Sequence, residues 1–488
     1  MSSDEDYSMD LSDEESYHGQ SDEYRGRDEM DVDEEGSDEI RMLVDCHAVA
    51  IEAARIRHEM TTQALPINAP SLSDTNSFNS SIAELPAVGD RFLDNDYNFF
   101  PITFHDGEQW IIKIPQAGTP EEWKDYHEIG LESEAKTLQM LQKRTTIPVP
   151  TVYSFDTSLN NPLKFPYMFL SVIKGLSLET VWYNSEDSPE RRLQVRTRAL
   201  EQIAAAMAQL DEFEYDYGGS PIIENNKIVG VGVVTVPFDG QHGYYPDGPF
   251  ATGKGFYLSH LKQYPYGARG HPSIDVRGLT GKGERRLTRL FIDELCSLEP
   301  DLSFVLSHPY MDLSSFIVAP DGGLLGVVQW EGVMTCPKSM SNRAYPAWLV
   351  EDWGVFCHAW TEEQDERHNQ EDEEDDCFDN PAELTKYRKI YRDAMAEIAP
   401  GSEIQTTITL ATTALYRCTQ SLEHRFDYLL RLTEESLQLV DPMVNKECIR
   451  ADFVKALISY GIEPTEDVVL CMEQLRKAFR ALLLNRDL

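Results

Sequence analysis

Residues 315–330 read SFIVAPDGGLLGVVQW, two apolar runs joined by Pro320-Asp321-Gly322-Gly323. Such a turn between strand-like runs predicts a β-hairpin, with glycine supplying the backbone freedom the reversal needs. Folding about 321–322 sets Ser315 almost opposite residues 328–329. Just upstream stands His308-x-Tyr310-x4-Ser315, and the second run ends in Gln329-Trp330-Glu331-Gly332. The hairpin therefore closes a wide gap in sequence and gathers Ser315 and Gln329 at one end of a ladder. Few other patterns in the chain restrict its fold as strongly.

A β-rich segment comes earlier: YNFFPITF, a turn at His105-Asp106-Gly107, then QWIIKIP. Its alternation puts Trp110, Ile112 and Ile114 on one face and Ile111 with Lys113 on the other. TPEEW follows, with Thr119 as N-cap, Pro120 at N1 and Glu122 at N3, and predicts a helix running to about Lys143. Leu131, Ala135 and Leu138 form its apolar stripe, and Glu134 lies on that same face. A lone charge on an inward face is costly unless paired, which makes Lys113 and Glu134 a natural couple. IPVPTVYSF and YMFLSVI read as two further strands. From about 176 the pattern turns helical, as in RALEQIAAAMAQLDEF with apolar residues at 200, 203, 207 and 210. A glycine- and aromatic-rich region, 218–257, reads as irregular. Helices are expected in RRLTRLFIDELCSL and AELTKYRKIYRDAMAEI, and at least two more near 405–440 and 466–485.

Charge sets the outer limits. The chain carries a net −41 over 488 residues, but residues 1–40 hold 17 acidic against 2 basic side chains, and residues 362–379 hold 11 against 1. The first stretch is too charged and too poor in apolar groups to repay ordering entropy, so it reads as a disordered tail. Serines set directly before acids there suit an acid-directed kinase, or a plain solubilising role. The acidic balance excludes nucleic acid as a partner, since no basic stripe offsets phosphate repulsion. The basic run RRLQVRTR at 191–198 reads as a solvated helix face. Eight scattered cysteines with no CxxC pair suggest reduced thiols in a cytoplasmic or nuclear setting. The acidic start does not resemble a secretory signal, and no apolar run approaches the ~20 residues of a membrane helix.

The spacing around the hairpin matches protein-kinase-like phosphotransferases, which use H-x-D-x4-N and a hairpin ending in Asp. There the first Asp takes the acceptor proton, while the Asn and the second Asp hold Mg²⁺. The chain resembles the aminoglycoside phosphotransferase family, in the form common in fungi. The resemblance rests on SFVLSHPYMDLSSFIVAPDGGLLGVVQWEG and YPAWLVEDW (345–353), with IPVPTVYSFD, LKFPYMFLSVIKGLSL, AMAQL and AELTKYRKIY in the same order over roughly 90–400. It implies an α+β, bilobal protein-kinase-like fold: an N-lobe of antiparallel strands plus one helix, a mainly helical C-lobe, and ATP between them. The corresponding division is a tail at 1–40, a helix and linker at 41–85, the N-lobe at 86–175, the C-lobe at 176–400 and a helical extension at 401–488.

By the same resemblance, Lys113 corresponds to the phosphate-contacting lysine and Glu134 to its helix partner. Ser171, Val172 and Ile173 correspond to the adenine-contacting hinge. Tyr310 stands at the catalytic-base position, and Ser315 and Gln329 at the Mg²⁺-ligand positions. The family's glycine-rich turn is DNDYN (94–98) here. Tyrosine, with a reference pKa near ~10, is no ionised base at neutral pH, and loss of a general base alone is worth about 10²–10⁴-fold. Neutral Ser and Gln oxygens suit Mg²⁺ poorly, since it wants at least one carboxylate beside the nucleotide. Two functional readings stay open, beside a decaying paralogue with no selected activity. One is a pseudokinase that binds ATP weakly without Mg²⁺ and recruits protein partners through its acidic tail. The other is an active small-molecule phosphotransferase in which Asp312 and Glu331 substitute. Against the second, a two-residue step in extended chain moves a side chain about 6–7 Å.

Overall fold

The computed structural model describes residues 44–63, 85–94, 96–184, 187–237, 244–263, 277–298, 303–338, 341, 344–356, 358, 360, 379–398, 406–420, 422–462 and 465–484. The tail at 1–40, the linker near 68–81 and residues 362–378 of the acidic insertion lie outside them. After helix α1 (Cys46–Gln63) come strands β1 (Ala87–Val88), β2 (Phe92–Asp94), β3 (Tyr97–Thr103) and β4 (Gln109–Pro115). Helix α2 (Asp125–Arg144), β5 (Val152–Asp156) and β6 (Tyr167–Ser171) complete the small lobe. Its sheet is antiparallel in the order β1-β3-β4-β6-β5, with β2 also on β3. Alternation along β4 works as the sequence suggests: Trp110, Ile112 and Ile114 are buried, each contributing about 1.5–3 kcal/mol. Lys113 faces the other way. Helix α2 buries Leu131, Ala135 and Leu138 in one apolar cluster with Met168 and Leu170 of β6, and Glu134 on the same stripe is 3% exposed.

The helix starts later than TPEEW predicts. Thr119 O accepts from Glu122 N–H and Trp123 N–H, which closes a single separate turn. The buried Trp123 then donates its indole N–H to Thr157 O at 2.8 Å. That anchor redirects the chain before α2 begins at Asp125.

The second lobe starts with β7 (Leu176–Ser177), α3 (Leu178–Trp182) and α4 (Pro189–Ala208). Ser188 Oγ accepts from Arg191 N–H and Pro189 takes the first helical position, the usual economy at a helix start. The region 218–257 is more regular than expected. It holds β9 (Ser220–Glu224) and β10 (Lys227–Gly232), preceded by β8 (Glu214–Tyr215) and followed by β11 (Val234–Pro237) and β12 (Tyr244–Asp247). Asn225 and Asn226, both with positive φ, form the β9–β10 turn. Asn is among the few side chains that tolerate that backbone. Then come α5 (Gly253–Gln263), α6 (Arg277–Leu298) and β13 (Phe304–Ser307). The predicted hairpin is β14 (Phe316–Val318) with β15 (Leu324–Val327), in register Phe316↔Val327. Gly322 turns at φ +84, and Val328 N–H reaches Ser315 O at 2.9 Å. β16 (Met334–Pro337) pairs β13.

Helix α7 (Pro381–Ile398) falls where its amphipathic pattern predicts. The tail holds four helices where at least two were read: α8 (Thr406–Gln420), α9 (Leu422–Val440), α10 (Lys446–Gly461) and α11 (Glu466–Leu484). Helix α10 has a thin apolar signature because it docks through backbone. A Cβ on Gly283 of α6 would stand 1.9 Å from Leu457 O, and one on Gly461 would stand 2.0 Å from Leu279 O. Two glycine notches let the helices touch where larger side chains would hold them apart.

The basic run read as a solvated helix face also differs from expectation. Arg196, from the basic run, is 3% exposed and meets Asp379, the last acid of the insertion, at 2.8 Å. Trp182 Nε1–H donates to Asp379 at 2.6 Å, and Arg196 donates to the Trp182 carbonyl and the Tyr387 hydroxyl. A buried pair stands when its remaining hydrogen-bonding groups are satisfied in this way. A small antiparallel sheet with one long helix, followed by a larger helical lobe, is the bilobal protein-kinase-like fold. No helix among the described residues is long and apolar enough to cross a membrane.

Candidate functional site

Lys113 projects from β4 into the space between that strand and α2. Its Nζ lies 2.7 Å from Glu134 Oε1 and 2.9 Å from Glu331 Oε2, and the lysine is 2% exposed. The Tyr97 ring covers the ammonium, its centroid 3.9 Å from Nζ, a distance at which the ring quadrupole attracts a cation. Burial alone would lower the lysine's pKa, but the two carboxylates outweigh it and hold the group above its ordinary range. Burial pushes Glu134 up to about 7, against the pull of Lys113 and with the push of Glu331. Glu331 is partly buried, yet Lys113 holds it below the usual carboxylate range.

Tyr97 enters the sequence reading only within DNDYN (94–98), with no role of its own, although the signal was present. In the β3–β4 ladder Phe99 stands opposite Lys113. Tyr97, two residues away, therefore shares that face, and a diagonal neighbour lies within reach of an aromatic ring.

At the far end of the β14–β15 hairpin, Ser315 Oγ lies 2.7 Å from Gln329 Oε1 and 2.7 Å from the Tyr310 carbonyl. Its one proton is shared between two acceptors. Ser314 Oγ donates to the same Gln329 oxygen at 3.3 Å. The ladder thus joins the two residues that the resemblance sets at metal-ligand positions, and both are neutral. Gln329 sits at φ +60, a left-handed backbone that few non-glycine side chains adopt without cost. This kink corrects the expectation for Glu331. An extended chain would carry its carboxylate away from the site, but the reversal at Gln329 brings it back onto Lys113.

His308 is a structural residue. Its buried ring donates Nε2–H to Val328 O at 2.7 Å and accepts the Tyr310 N–H on Nδ1 at 3.2 Å. Burial pushes its pKa down to about 4, which keeps the ring neutral in the one tautomer this pattern needs. Tyr310 is 47% exposed. Asp312 caps the short 3-10 turn at 313–315 by accepting from Leu313 N–H at 2.7 Å. Its charge is among those that raise the pKa of Glu351, and of the two acids Glu331 is the one that meets Lys113. In the stretch expected to be the hinge, Ser171 N–H donates to Thr151 O, Ser171 Oγ accepts from Thr151 N–H, and Val172 N–H points to Gln109 O at 3.4 Å. The Ile173 side chain packs on Gly326, where a Cβ would be 2.4 Å away. Two of the three amides of residues 171–173 are thus engaged by neighbouring backbone.

Beside Asp312, Glu351 is pushed up to about 8 by burial and by Asp379, Asp312 and Asp352, against Arg417. Such a carboxyl binds a proton in the fold where the unfolded chain has lost it. Its contribution is full below about 4.5 and is lost as pH rises through about 8. Glu351→Gln is expected to flatten the fall in thermal stability across that window, by at most about 4–5 kcal/mol. Parallel pH–Tm curves for the two proteins would contradict this assignment.

No family model and no curated protein matches the chain. Among solved structures it is similar to an ethanolamine kinase from Plasmodium vivax, at 11% identity over 94% of this chain and 98% of that one, with a TM-score of 0.39. The GDP complex of aminoglycoside 2'-phosphotransferase-IIIa is similar at 13% identity, over 87% and 98% of the two chains, TM-score 0.39. A macrolide 2'-phosphotransferase from Brachybacterium faecium is similar at 12% identity, over 78% and 93%, TM-score 0.34. The class defined by the chain's own topology is the bilobal protein-kinase-like fold.

Proposed function

We propose that the protein is a phosphotransferase-like fold that has lost phosphoryl transfer and works as a binding and regulatory module. The observation that carries this reading is the 2.7 Å hydrogen bond between Ser315 Oγ and Gln329 Oε1. Two uncharged groups satisfy one another where a divalent cation would need anionic oxygen. These residues do not fit Mg²⁺. Proton removal is lost as well, because Tyr310 offers a phenol and Asp312 is engaged as a cap. Lys113 and Glu134 retain the pair that accepts the phosphates of a nucleotide in this fold class, which supports ATP binding without turnover. The acidic stretch at 1–40 then serves to recruit protein partners.

One observation favours a second reading, an active ATP-dependent small-molecule phosphotransferase. Glu331 stands 2.9 Å from Lys113, where a single carboxylate with nucleotide phosphates could seat a cation. Phosphate release from ATP separates the two. With Mg²⁺ present, the wild-type protein is expected to release phosphate at the rate of buffer. Mg²⁺-dependent release that disappears in Glu331→Ala would establish the active enzyme.

A further inference from the structure

We infer that Glu331 is a built-in anion occupying the phosphate seat of Lys113, and that a polyphosphate ligand enters by displacing it without a divalent metal. The inference rests on the reading of the cleft as a metal-free binding site.

An ammonium has three N–H donors. Here two carboxylates take the close positions at 2.7 and 2.9 Å, and the Tyr97 ring caps the group. An arriving phosphate must therefore replace one of these neighbours. Glu134 is fixed on a packed helix, 3% exposed, with its helix neighbours Ala135 and Leu138 buried around it. Tyr97 belongs to β3 and is held in its ladder opposite Pro115. Glu331 differs from both. It belongs to a short connection between β15 and β16, flanked by Gln329 at φ +60 and Gly332 at φ +74. Nothing lies within 4 Å of where a Cβ on Gly332 would stand, and the Glu331 side chain is the most exposed of the three charged groups, at 13%. The backbone on either side is anchored, since Trp330 and Val333 are buried and Val333 N–H donates to Trp330 O at 3.0 Å. It is therefore the Glu331 side chain that turns out, about its own bonds.

Charge supports the same conclusion. One cation between two carboxylates leaves the cluster with a net negative charge, which opposes an incoming polyphosphate. Removing the Glu331 charge leaves a neutral Lys113–Glu134 pair with a donor open to the cleft. Binding is strengthened when a site no longer has to break its own internal contact first.

The test is calorimetric titration of ATP, and separately of inorganic tripolyphosphate, in EDTA with the full chain. Glu331→Gln keeps the side-chain shape, and Glu331→Ala removes the carboxylate altogether. Both are expected to bind roughly tenfold or more tightly than wild type, and Lys113→Met is expected not to bind. Comparable gains for the two ligands mark a phosphate seat, and a gain for ATP alone marks a nucleotide site. Affinity unchanged or weakened in both Glu331 variants, or no binding by any of the proteins, overturns the inference. Phosphate release is a separate readout, so failure of this proposal is distinguishable from failure of the pseudokinase reading.

Discussion

Lys113→Met is expected to destabilise the protein by about 3–5 kcal/mol, the usual cost of deleting one partner of a buried ion pair. The reason is local. Glu134 and Glu331 both turn their oxygens to the lysine, and without it two carboxylates confront one another with little water. The loss carries a pH signature. Glu134, already pushed up to about 7 by burial against the pull of Lys113, rises further without the lysine, and taking a proton there relieves the repulsion. The deficit is therefore largest above pH 7 and shrinks toward pH 5. Glu331→Gln in the Lys113→Met background should recover part of the loss, a favourable coupling that a double-mutant cycle measures. Denaturant midpoints for the four proteins decide the matter. A cost below about 1 kcal/mol at pH 8 would place the cluster among solvated surface pairs.

The second large effect is a gain. Tyr310→Asp, Ser315→Asn and Gln329→Asp together are expected to raise Mg²⁺-dependent phosphate release from ATP by at least about 10² over wild type, since a positioned base alone is worth that much. The scaffold is prepared for the change. The hairpin already joins positions 315 and 329, and Asp is among the residues that accept the left-handed backbone found at 329. Each single substitution supplies a base without a metal, or one metal ligand without its partner. None alone is expected to rise above background. A single variant as active as the triple would show that the other two positions were never limiting.

Parts of this arrangement follow a period that chain chemistry sets, and those were legible. Strand alternation aimed Lys113 away from Trp110 and Ile112, and helix spacing put Glu134 on the apolar stripe. The Pro320–Gly323 turn predicted which residues would face each other across the β14–β15 ladder. Features that depend on a single dihedral or a distant partner were not legible. Nothing in QWEG announces that Gln329 adopts φ +60, and that one angle moves Glu331 from outside the site onto the lysine. Arg196 looked like one more charge on a solvated face until the fold brought Asp379 against it from 183 residues away. Helix α10 hid its docking face because glycine backbone, rather than a stripe of large side chains, makes the contact. The Asn225-Asn226 turn was readable in principle, being flanked by apolar runs on both sides, and a glycine-rich setting obscured it.

The proposed function depends on a cleft that has no seat for a divalent ion. The affinity of the wild-type chain for ATP, measured by calorimetry in EDTA and again in millimolar Mg²⁺, addresses this most directly. The two dissociation constants are expected to agree within about twofold, because Ser315 and Gln329 are neutral and the Glu134 and Glu331 carboxylates are both held on Lys113. Binding that Mg²⁺ tightens by roughly tenfold or more, with the gain abolished by Glu331→Ala, would contradict it.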